Sequence, residues 1–254
     1  MSTPVWWKTY VTEVVDTVET ESEAYLETTP RRRVIFKTIV VLVASAISLG
    51  FINFAKQSLG QLGTDSAEFN RLAWWAVVTI AGFVVLPAVT IKLLLKERLR
   101  DYGLRIKGGF SSWRVYLLLF ALSVPFIILA STQTNFQETY PFYDLSPGEA
   151  WWPFLWAWWG LYALQFVALE FFFRGFMVHG LKLRMGVTSV FVMVVPYVMI
   201  HFAKPPLEAF SAIIGGTVLG FLSLKTKSVW WGAALHISIA AAMDLLALGQ
   251  RGFL

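Results

Sequence analysis

The chain has 254 residues, of which 57% are hydrophobic and only 15% charged. A soluble domain would carry about a quarter charged residues, so this composition excludes an ordinary water-soluble fold and points to a polytopic membrane protein. The absence of cysteine excludes disulfides and thiolate-ligated metal, and the net charge of +5 is spread over short segments between apolar runs, which is a topology signal and not a nucleic-acid face.

Residues 1–33 read as a cytoplasmic amphipathic, acidic segment. In "VTEVVDTVETESEAYLE", Val11, Val14, Val15 and Val18 recur at helical spacing, which predicts a short helix with one apolar face. Trp6 and Trp7 suit a membrane interface. The segment lacks the basic start and apolar core of a signal peptide and is expected to stay on the mature protein.

Residues 34–254 read as the transmembrane domain. Hydropathy places seven spans at about 34–54, 72–95, 115–131, 151–179, 187–203, 208–224 and 229–249, each of a length suited to crossing a hydrocarbon core of roughly 30 Å. With room for one further short or re-entrant segment, the expected fold is an all-α transmembrane helical bundle of seven to eight spans. The connections "RRR", "KERLRDYGLRIKGGFSSWR", "KLR" and "KTK" are basic, whereas "STQTNFQETYPFYDLSPGEA" has no Lys or Arg. Basic and poor connections alternate, which predicts a cytoplasmic N-terminus and an external C-terminus. Gly216 and Gly220 form a small-xxx-small pair that suits close helix packing. Pro87 and Pro125 are expected to kink their spans.

Ionisable residues are expensive inside a membrane and mark functional candidates. Away from the span ends these are Glu170, Arg174, His201, His236 and Asp244; His179 reads as interfacial. At about 1.5 Å per residue, Glu170 and His236 lie roughly 15 Å from the nearest basic connection and His201 about 22 Å. One acid and two imidazoles from three helices therefore share a layer. Glu170 and Arg174 also have the i, i+4 spacing of an intrahelical ion pair. Asp244 lies two turns from His236 on the same face and is positioned to orient that imidazole or to cap the cluster's outer side.

Two chemistries fit this set. Glu170 can act as a general base for water, with one histidine sharing the water and the other donating to the oxyanion. Alternatively Glu170, His201 and His236 form a two-imidazole, one-carboxylate set for zinc or another divalent metal with an open position. Spacing does not choose between them; both hydrolyse an amide within or at the edge of the membrane.

The stretches "EFFFRG", "YVMIHFAKPPLEAF" and "GGTVLGFLSLKTKSVWWGAALHISIAAAMD", together with "YGLRIKG", resemble the ordered motifs of the CPBP family, the CAAX-protease and bacteriocin-processing intramembrane enzymes also called Abi proteins. The resemblance covers about residues 100–249. It implies an intramembrane endopeptidase of a bacterial inner membrane that cuts a membrane-associated peptide or protein, with Glu170, His201 and His236 catalytic and Arg174 and Asp244 supporting. The family's first motif is Glu-Glu-x-x-x-Arg, and its first glutamate is held to activate the water; here that position is Leu169, while Glu170 and Arg174 match the others. The second motif reads Tyr197 and His201 where the family has Phe-x-x-x-His. In the third, His236 matches and the following polar position is Ala240. The departure at Leu169 opens the alternative of a non-catalytic membrane scaffold or chaperone.

Overall fold

The computed structural model describes residues 4–57, 66–106, 112–145 and 150–253. The last two residues of "YGLRIKG" and part of the long connection before residue 150 lie outside the described residues. Every principal element is a helix. Helix α1 is Glu13–Thr28, preceded by a turn at Val5–Trp7 and wider helical turns at Lys8–Thr12. The spans are α2 (Arg31–Ala55), α3 (Ala67–Leu95) and α4 (Trp113–Ser131). After the short α5 (Thr134–Thr139) come α6 (Phe154–Met185), α7 (Thr188–Met199), α8 (Pro206–Thr226) and α9 (Trp230–Gln250).

The stop between α1 and α2 follows from Pro30. A residue before proline is pushed out of the helical region, and Thr29 is extended at φ −107°, ψ 130°. The valine stripe of α1 is used as its period suggests: Val14 and Val18 are buried, packed in the main core cluster with the aromatic residues of α6.

Contacts between connections sort the chain ends into two groups. At one end Lys37 pairs with Glu97 at 2.8 Å, Val229 donates its N–H to the Gly103 carbonyl at 2.9 Å, and Lys182 and Lys227 both reach Glu21, at 2.7 and 2.9 Å. At the other end Gln250 bonds Ser131 at 2.9 Å, Tyr140 donates to Glu208 at 2.8 Å, and the Arg251 guanidinium meets Asp144 at 2.8 Å. Among the described residues the chain therefore passes seven times between a basic end and a far end, in an all-α polytopic bundle.

Six of the passes are long and apolar enough to cross a membrane by length and composition. The fifth differs from expectation. Helix α7 has 12 residues, about 18 Å, and stops at Met199 instead of continuing to residue 203. Pro196 removes one N–H from the helical ladder, and Pro205–Pro206 bars its continuation. The pass is completed by turns, in which His201 donates its N–H to the Val198 carbonyl and Lys204 to the His201 carbonyl, both at 2.9 Å. His201 thus sits on the turn after α7 and not within a helix.

Gly216 and Gly220 let α8 press against α7. A Cβ on Gly216 would meet the Tyr197 ring at 2.9 Å, and one on Gly220 the Val190 side chain at 2.5 Å. This contact places Tyr197 and the turn carrying His201 beside the bundle's centre.

Candidate functional site

Glu170 ends the first stretch of regular α-helix in α6; from Phe171 to His179 the helix widens into π-type turns, and regular α-helix resumes at Gly180–Met185. Such turns occur often at functional sites. All nine residues of that stretch are buried, so Glu170 and Arg174 project into protein and not into lipid. Glu170 is 1% exposed and Arg174 is fully enclosed.

Charged and aromatic side chains of three helices, α6, α7 and α9, meet there. Glu170 Oε1 lies 3.0 Å from Arg174 Nη1 and 3.0 Å from His236 Nδ1 on α9. The other carboxylate oxygen rests against Gly232, one turn before His236, where any Cβ would overlap it. Arg174 lies over the Tyr197 ring with its Cζ 4.0 Å from the centroid, a cation–π contact. The Tyr197 hydroxyl is 3.1 Å from His236 Nε2. His201 Nδ1 is 2.7 Å from the Tyr197 carbonyl, and its ring meets the Tyr197 ring edge-on at 4.7 Å. Phe166 stacks on His236 at 5.6 Å and 16°, which holds the imidazole plane.

The two contacts of Glu170 are close but not linear: Glu170 Oε1, His236 Nδ1 and the guanidinium nitrogens make no aligned hydrogen bond. At these distances the contacts are held by charge attraction.

Of the residues singled out from the sequence, Glu170, Arg174 and His236 are brought into direct contact. His201 joins through Tyr197 and not by touching the carboxylate. Asp244 is buried but apart: it accepts from the Trp159 indole at 3.0 Å and does not serve His236, whose Nδ1 faces Glu170. His179, near the basic end, is turned into the bundle. It is buried and shares a hydrogen bond of 3.1 Å with Ser223. Two site residues were not legible in advance. Tyr197 stood out only as a substituted motif position, and Gly232 had no signal beyond lying four residues before a membrane histidine.

A metal does not fit this arrangement well. Both His236 nitrogens have neighbours and a guanidinium already faces the Glu170 carboxylate, so of the two imidazoles only His201, with Nδ1 on the Tyr197 carbonyl, has an Nε2 left to offer. Among the described residues, no group of three His, Asp or Glu is placed to hold a metal ion.

A family model described as Type II CAAX prenyl endopeptidase Rce1-like matches residues 150–242. The matched segment contains Glu170, Arg174, Tyr197, His201 and His236 and agrees with the resemblance that the sequence motifs carry. No curated protein and no solved structure matches the chain.

Proposed function

We propose that this multi-pass membrane protein, with its CAAX-protease-type segment, is an intramembrane endopeptidase in which His236 handles the proton and Glu170 positions it. The observation that carries this reading is the 3.0 Å approach of Glu170 to His236 Nδ1, in a pair where the imidazole side chain is 17% exposed and the carboxylate 1%. Solvent can reach only the histidine. A carboxylate accepts but cannot donate, so Glu170 favours the tautomer with the proton on Nδ1 and the lone pair on Nε2.

In the proposed reaction Nε2 takes a proton from water as the water oxygen bonds to the scissile carbonyl carbon. The imidazolium so formed is stabilised by Glu170. It returns the proton to the amide nitrogen as the C–N bond breaks, in the manner of an acid-oriented histidine. In the resting site the Tyr197 hydroxyl, 3.1 Å away, donates to that Nε2 lone pair; in the proposed reaction water takes its place there and the hydroxyl turns to donate to the oxyanion. His201 uses Nδ1 on the Tyr197 carbonyl, which leaves its Nε2 lone pair for the same water. The role expected of Glu170 as base passes to His236, and no step is routed through zinc or another divalent metal. The substrate class is a membrane-associated peptide or protein. The basic end is assigned to the cytoplasm of a bacterial inner membrane and the C-terminus to the outside.

Comparative peptidomics of membranes carrying wild-type, His236→Ala or Glu170→Gln protein tests this. Expected is at least one membrane-derived fragment that disappears with His236→Ala and is strongly reduced with Glu170→Gln. Identical fragment patterns in all three would overturn it.

One observation favours a second reading. Leu169 stands where the family has its first glutamate, and Glu170 is sealed by Arg174 and Gly232. That suits a scaffold that binds transmembrane segments without cutting them. This reading predicts unchanged peptide patterns and an unchanged set of co-purifying membrane proteins for His236→Ala.

A further inference from the structure

Away from the Glu170–His236 site, a groove of about 510 Å³ opens between the start of α2 and the junction of α6 with α7. A second concavity of about 260 Å³, between the end of α1 and the start of α2, meets it at Ile35 and Arg184. Together they fall in the size range of ligand clefts, about 300–1,000 Å³.

The lining is graded by depth. Arg31 opens α2, Arg184 closes α6 and Thr188 opens α7, so two guanidinium groups and a hydroxyl sit at the rim of the basic end. Ile35 and Val192 lie one turn farther in and Ile39 two turns in, roughly 6 and 12 Å along their helices. Ile35 and Ile39 are exposed. Two nearby carboxylates are turned to other partners: Glu21 is bound to Lys182 and Lys227, and Glu19 accepts the Val187 N–H at 2.9 Å. Arg31 and Arg184 have no ion pair among the described residues.

We infer that this groove binds an anionic glycerophospholipid of the surrounding bilayer, with its phosphate between Arg31 and Arg184 and one acyl chain along Ile35, Ile39 and Val192. Charge complementarity selects the occupant. Unpaired cations at headgroup level above an apolar channel suit a phosphodiester with a hydrocarbon tail, and basic pockets between transmembrane helices bind anionic headgroups in this way. Arginine matches phosphate through paired N–H donors. The inference does not depend on any proteolytic activity.

Native mass spectrometry of the detergent-extracted full chain, titrated with phosphatidylglycerol or phosphatidylcholine of the same acyl composition, tests it. Wild type should retain phosphatidylglycerol in preference. Arg31→Gln and Arg184→Gln should each weaken retention about fivefold. Arg98→Gln, which removes an exposed charge at the same end outside the groove, should leave retention unchanged. Thr188→Trp should fill the groove and lower retention without changing charge. Equal retention of the two lipids would overturn the inference. So would an Arg98→Gln loss as large as the groove variants', or retention unaffected by both groove arginines.

Discussion

Two carboxylates of this protein each lie between two cationic or ionisable partners, at opposite depths. Glu170 sits at the bundle's centre between Arg174 and His236, enclosed on every side. Glu21 sits at the basic end between Lys182 and Lys227, with a side chain 32% exposed. At the centre, water cannot replace a missing partner, so the shape of the pocket and the completeness of the set decide whether the charge is tolerated. At the rim, water and salt compete with the ammonium groups. Partial burial alone would raise the Glu21 pKa, but the hydrogen bonds and charges of Lys182 and Lys227 hold it down at about 2. The same arrangement therefore fastens α1 to the bundle at one depth, and at the other forms a set that tolerates the loss of no single partner.

The sharpest way to break this comparison is Glu170→Ala, which strands the Arg174 guanidinium. Removing one partner of a buried pair costs about 3–5 kcal/mol, whereas replacing both by apolar groups is often nearly neutral. Thermal unfolding in detergent, followed by tryptophan fluorescence, should show a large loss for Glu170→Ala and substantial recovery in Glu170→Ala/Arg174→Met. A double variant as unstable as the single would show that the stranded charge is not the cause.

Gly232→Val should cost about 1–3 kcal/mol by overpacking, because the new side chain must take the space of a Glu170 oxygen. It should also abolish fragment release by pushing Glu170 off His236. Full activity in Gly232→Val would contradict that close approach.

Tyr197→Phe keeps the ring over Arg174 and removes the hydroxyl beside His236. A stability loss of about 0.5–1.5 kcal/mol is expected, together with a lower kcat at unchanged KM once a substrate is in hand. Tyr197→Leu, which also loses the ring, should be less stable than Tyr197→Phe; equal melting temperatures would remove the cation–π contribution.

The smallest effect belongs to the rim. Glu21→Gln should cost about 0.2–1 kcal/mol per ion pair and less at high salt. Because the folded pKa of Glu21 lies below the ordinary glutamate value of 4.5, its contribution is complete above about pH 4.5. It is lost progressively as pH falls toward 2. Melting curves across that window should show a pH dependence in wild type that is reduced in Glu21→Gln; superimposable profiles would remove Glu21 from the acid response.

Sequence alone determined the features that depend on neighbours along one helix. The apolar runs demanded a membrane bundle, the valine period of α1 supplied its buried face, and the four-residue spacing of Glu170 and Arg174 made their ion pair nearly geometric. Gly216 and Gly220 announced a close helix contact, though not its partner α7. Local periodicity has one solution per helix, so such features are readable without coordinates.

Only tertiary packing decided which way each helix is turned toward the others. It set His236 against Glu170, interposed Tyr197 between the two histidines, gave Asp244 to Trp159 and drew His179 inward to Ser223. It also ended α7 early, so that His201 rides on a turn. Each of these depends on rotation and depth between helices far apart in the chain. A rotation of one residue step, about 100°, carries a side chain from the core to lipid without altering the sequence pattern.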